Sequence, residues 1–136
     1  MGMVHESITL KNAVDVGDVR RGYIKEPDIR QIKIRAMVDT GAETLVISEA
    51  IRQALGLDVL GSKRVSFANE SVQTYHFTEP VEVHWNDRFT SVHALVIPDI
   101  KEVLLGAISL EGLNVIVDPL NQQLIGAHGD EMIFRI

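Results

Sequence analysis

Between Ile32 and Val38 the chain places apolar side chains at every second position, Ile32, Ile34, Ala36 and Val38, around Lys33, Arg35 and Met37. A period of two belongs to a strand with one buried face. The run ends in Asp39-Thr40-Gly41, so any fold must seat this strand in a sheet and leave an acid, a hydroxyl and a glycine in the turn beyond it. Further strands are expected at Glu6–Leu10, Lys63–Ala68, Val72–Phe77, Val81–Trp85, Ser91–Ile97, Val115–Val117 and Met132–Arg135, with turn residues between them. One helix is expected to start at the N-cap Ser48 and stop at Gly56, burying Ile51, Ala54 and Leu55. A shorter one runs from Ala107 to about Glu111 and ends at Gly112, and Pro119 and Asn121 mark a later turn. The reading is mainly β, with one or two short helices.

Composition narrows the chemistry. The 136 residues, 46% of them hydrophobic, suit a single domain over 1–136 with its own core. Thirteen Lys and Arg against nineteen Asp and Glu give a net charge of −6, which repels phosphate backbones, so no nucleic acid partner is expected. No apolar run reaches the ~18 residues that span a bilayer, and the N-terminus has no basic segment leading into an apolar one. A soluble, cytoplasmic chain without membrane contact is expected. Cysteine is absent, which excludes disulfides, a thiol nucleophile and thiolate metal sites. The histidines His5, His76, His84, His93 and His128 show neither HExxH spacing nor clustering, so no metal and no cofactor is expected. Ser48 and Ser66 stand in no nucleophile motif.

The remaining chemistry is that of Asp39-Thr40-Gly41. An aspartate can activate water, a threonine hydroxyl can tie its loop to neighbouring backbone, and a glycine admits close approach by another chain segment. Alone, the tripeptide reads better as a plain strand-ending turn, and on a β-barrel scaffold carrying it incidentally Asp39 and Leu104-Leu105-Gly106 would lie far apart. Its surroundings are more specific. Thr44-Leu45-Val46-Ile47-Ser48 follows, and Val103-Leu104-Leu105-Gly106 comes much later. From about Gln31 to Ile125 the set resembles the retroviral-like, retropepsin-type aspartic proteases, in which a later strand ending in two apolar residues and a glycine crosses the Asp-Thr-Gly loop.

The resemblance implies a small closed β-barrel of the acid protease type, with Asp39, Thr40 and Gly41 catalytic and Leu104, Leu105 and Gly106 supporting them. Two carboxylates held about 3 Å apart cannot both ionise cheaply, so they share a proton, one acting as base on a water and the other as acid. The chain has no second Asp-Thr-Gly or Asp-Ser-Gly. The resemblance therefore implies a homodimer in which each copy supplies one Asp39, acting as an endopeptidase on polypeptides without a metal. It also implies that each Thr40 braces the opposite loop, and that Glu6–Leu10, Met132–Ile136 and the N-terminal extension 1–27 serve the fold or the dimer interface. A flap hairpin around Ala68-Asn69-Glu70-Ser71 would cover an extended substrate, with Ala42 and Glu43 also touching it. The chain departs from the family at the flap tip, where Glu70 and Ser71 replace a glycine-rich turn, and at Glu43 and Ala107, where retroviral members tend to carry Asp and Arg. A non-catalytic dimeric peptide-binding module with the same fold is the alternative these departures leave.

Overall fold

The computed structural model describes residues 3–136; Met1 and Gly2, counted above in the N-terminal extension, lie outside them. In chain order the elements are β1 (His5–Asn12), α1 (Ala13–Arg20), a 3-10 turn (Glu26–Asp28), β2 (Gln31–Val38), β3 (Leu45–Ile47) and α2 (Glu49–Ala54). They continue with β4 (Val59–Ser66), β5 (Val72–Trp85), β6 (Arg88–Val96), β7 (Val103–Leu105), α3 (Ala107–Leu113), β8 (Val115–Asp118) and β9 (Gln123–Gly126). The alternating strand read from the sequence is β2.

Antiparallel pairing of β1 with β2 sets Ile8 against Ile34 and Leu10 against Ile32, so both apolar faces point the same way. The sheet runs β1-β2-β7-β3-β6-β5 and closes because β1 also pairs with β5, placing Leu10 opposite Val83. Six strands thus form a closed barrel, as the resemblance implied, and β4 extends beyond it from β5. Closure buries Ile8, Leu10, Ala36, Leu45, Ile47, Val81, Val83, Val103 and Leu105 almost completely and removes the open edges that would recruit other strands. β1 is bonded on both sides from Thr9 to Lys11, whereas Glu6–Ile8 pairs with β2 alone.

Several expectations change. Val72–Phe77 and Val81–Trp85 are halves of one strand, joined through a register shift between Phe77 and Pro80. Pro80 lacks the N–H a regular ladder needs, and the shift accommodates it. Met132–Arg135 is not a strand. That extended segment meets the Asn114 side chain instead, which accepts from the Ile133 N–H and donates to its carbonyl, both at 3.0 Å. Helix α3 runs past Gly112 and stops at Asn114, whose φ of 57° supplies the left-handed cap. Gly112 is needed within the helix, because a Cβ there would collide with the Thr90 side chain. In α2 the Ser48 hydroxyl caps the Ile51 N–H as expected and Leu55 is buried, but Ala54 is exposed.

The α1 segment is anchored by buried polar groups. Asn12 accepts from the Asp15 N–H at 3.1 Å and donates to the Leu55 carbonyl at 2.8 Å. Buried Asp15 takes two bonds of 2.9 Å from the Arg30 guanidinium and one of 3.0 Å from the Arg30 N–H. The guanidinium bonds hold the Asp15 carboxyl below its usual value of 3.8 against the opposing effect of burial. A depressed folded value gives stability that is present above the unfolded value and lost as pH falls through the folded one. Asp15→Asn should therefore cost about 1–2 kcal/mol at neutral pH, the half-exposed Arg30 keeping the figure low. Chemical denaturation at neutral pH and near pH 3 checks this: the gap to wild type should narrow in acid.

Candidate active site

Asp39 stands where β2 ends. Strand β7 lies beside β2 in parallel, with Val38 opposite Leu105, and beside β3 in antiparallel, with Val46 opposite Leu104. It therefore threads between the two strands that flank the loop 39–44. The Asp39 N–H donates to the Leu105 carbonyl at 3.0 Å, and the Ala107 and Ile108 N–H groups each donate at 2.8 Å to the carbonyls of Ala42 and Glu43. Asp39-Thr40-Gly41-Ala42-Glu43 and Leu104-Leu105-Gly106 thus form one bonded unit, and the reading that separates them fails.

Gly106 shows how close the two segments lie. A Cβ there would approach the Ala42 carbonyl oxygen to 2.6 Å and the Thr44 nitrogen to 2.8 Å, and would also meet the Thr44 carbonyl. All three are backbone atoms that cannot swing aside. Within the loop, the Gly41 N–H donates to Asp39 Oδ1 at 2.9 Å, fixing one carboxylate oxygen and leaving the half-buried side chain at the surface of the turn. Thr44, which sequence reading did not single out, donates its hydroxyl to the His93 carbonyl at 2.8 Å and ties the far end of the loop to β6. A hydroxyl five residues after the aspartate was the available signal, but its partner is 49 positions away.

Thr40 is exposed and borders an apolar groove of about 280 Å³ lined by Ala107, Leu110, Glu111 and Val115–Val117. A larger cleft of about 330 Å³, between Ile34, Ser48, Ile51 and Val103, contains none of the predicted site residues. The expected flap is a hairpin of β4 and β5 whose turn is closed by the Phe67 N–H on the Ser71 carbonyl and the Glu70 N–H on the Phe67 carbonyl, both at 2.9 Å. Asn69 Oδ1 accepts from the Ser71 N–H at 3.0 Å, and Glu70 adopts a φ of 67°. The turn that glycines would make is thus built from an asparagine side chain and a strained glutamate. Among the described residues no hydrogen bond joins Ala68–Ser71 to the loop 39–44.

The sequence model of a family described as aspartyl protease matches residues 26–126, a span that contains Asp39, the hairpin and Gly106. No curated protein matches the chain. Among solved structures, EIAV protease complexed with the inhibitor HBY-793 is similar at 23% identity with a TM-score of 0.49, over 58% of this chain and 75% of that one.

Proposed function

The chain belongs to the aspartyl protease family, and from that premise we propose that it is an endopeptidase assembled as a homodimer, each copy giving one Asp39 to a shared catalytic pair. The observation that carries this reading is the bonded unit around Asp39: the carboxylate is oriented by the Gly41 N–H, and its loop is fastened at both ends. Across a two-fold axis the two carboxylates would share one proton. The ionised partner takes a proton from the intervening water as that water attacks the peptide carbonyl, and the protonated partner donates to the developing oxyanion. Collapse of the tetrahedral species then breaks the C–N bond as the amine gains a proton. An extended peptide held beneath the β4–β5 hairpin, against Ala42 and Glu43, supplies the orientation that lowers the barrier.

The groove beside Thr40 supports a second copy as the missing half. It is largely apolar, it touches the catalytic turn, and Ile116 on β8 is 51% exposed. Strand β8 pairs only with β9 among the described residues, so one edge is open to a two-fold mate. Ile116→Lys should weaken dimerisation by at least about tenfold, read by sedimentation across a concentration series, and activity should fall in parallel at low concentration. Cleavage of a mixed peptide library by wild type but not by Asp39→Asn, with products identified by mass spectrometry, tests the reading itself. Peptide binding without cleavage would favour a non-catalytic binding module.

A further inference from the structure

The hairpin carries a fixed cation on one face. Strand β4 ends its sheet, paired only with β5, so its outer edge is open among the described residues. Pairing of Lys63 with Tyr75 and of Gly61 with Phe77 gathers these side chains on one face. Lys63 Nζ lies 4.8 Å from the centre of the Phe77 ring. The absence of a side chain at Gly61 leaves room for that ring, since a Cβ would stand 3.0 Å from it.

This face leads back to the catalytic loop. Phe77 meets the His93 ring edge-on at 6.1 Å, and the His93 carbonyl is the one that accepts from Thr44. His93 is exposed while Val92 and Ala94 beside it are buried, so the cluster lies on the outside of the barrel, next to the loop bearing Asp39. The Phe77 ring on β5 thus links Lys63 on β4 to His93 on β6. No carboxylate of the described residues forms an ion pair with Lys63.

We propose, on the reading that Asp39 serves a protease, that Lys63 is a specificity-determining residue selecting peptides with an acidic side chain near the cleaved bond. A peptide added along the open edge of β4 would set one side chain opposite Lys63, where an opposite charge is favoured. The ring beneath holds the ammonium and reduces the entropy it loses on pairing. Its neighbour Arg64 points to the other face and suits the commoner role of a solvated charge that deters strand addition at an edge. If Lys63 had only that role, it would show no preference among peptides.

The test uses the best-cleaved library peptide, remade with Gln or Glu at each position in turn on either side of the bond. Wild type should favour the Glu form at one position by about two- to fivefold in kcat/KM at low salt, and less at high salt. Lys63→Met should bring that ratio to one and Lys63→Glu should invert it. Fluorescence anisotropy with Asp39→Asn and labelled peptides reads the same preference without catalysis. Asp39-dependent cleavage with equal ratios in wild type and Lys63→Glu overturns the role of Lys63 and leaves the protease reading standing. Charge-selective binding that depends on Lys63, with no cleavage by wild type, overturns the protease reading and keeps Lys63 as a selector of acidic peptides. Neither binding nor cleavage overturns both.

Discussion

Asp39→Asn should lower peptide cleavage by at least about 10³-fold while leaving the fold and the dimer in place. The exchange keeps the shape of the side chain and an oxygen that can still accept from the Gly41 N–H, the one bond that orients it. What it removes is a group able to take and return a proton. A pair of asparagines holds no exchangeable proton of suitable strength, so neither water activation nor oxyanion protonation survives. The measurements are peptide cleavage, thermal unfolding and sedimentation on the same preparation. Equal activity of variant and wild type would exclude Asp39 from the chemistry, whereas unfolding of the variant would make its inactivity uninformative and shift the test to Asp39→Glu.

Gly106→Ala should be severely damaging for so small a substitution, costing about 3 kcal/mol or more and removing activity with it. The added methyl would contact backbone atoms of Ala42 and Thr44, and those segments are held by the bonds from Ala107 and Ile108. Relief would require the loop 39–44 to move away from β7, breaking the geometry that presents Asp39. By contrast, Gly22 has open space around it, and alanine there meets only the cost of its φ of 79°. Denaturant titration of the two variants separates the effects: Gly106→Ala should lose stability and cleavage together, and Gly22→Ala should cost about 1 kcal/mol with cleavage retained.

The parts of this fold that were legible in the sequence are those written locally. Ile32–Val38 alternates because one face of β2 is buried, and Gly106 is glycine because no other residue fits there. Pairing over long separations left weaker marks. Nothing around Leu10 announces that it will face Val83 and close the barrel. Pro80 looked like a break between two strands because the register shift that absorbs it depends on β6. Helix α1 was missed for a different reason. Val14, Val16, Val19 and Gly17 are poor helix formers, and the segment is helical because Asn12 caps it and the Asp15–Arg30 pair anchors it. The Met132–Arg135 run has strand composition but no partner strand, so a side-chain amide takes the place of a ladder. At the candidate site the aspartate loop and its crossing strand were legible, while the Thr44–His93 bond and the Lys63–Phe77 contact required β3, β4, β5 and β6 to be assembled.

The central claim is that one catalytic centre needs Asp39 from two copies. Mixing wild type with Asp39→Asn at fixed total concentration, with time for subunits to exchange, tests it directly. If both carboxylates are required, an equal mixture retains about a quarter of wild-type activity, because only about a quarter of the dimers hold two aspartates. Retention of about half, falling linearly with the wild-type fraction, would mean that each copy acts alone and would contradict the account.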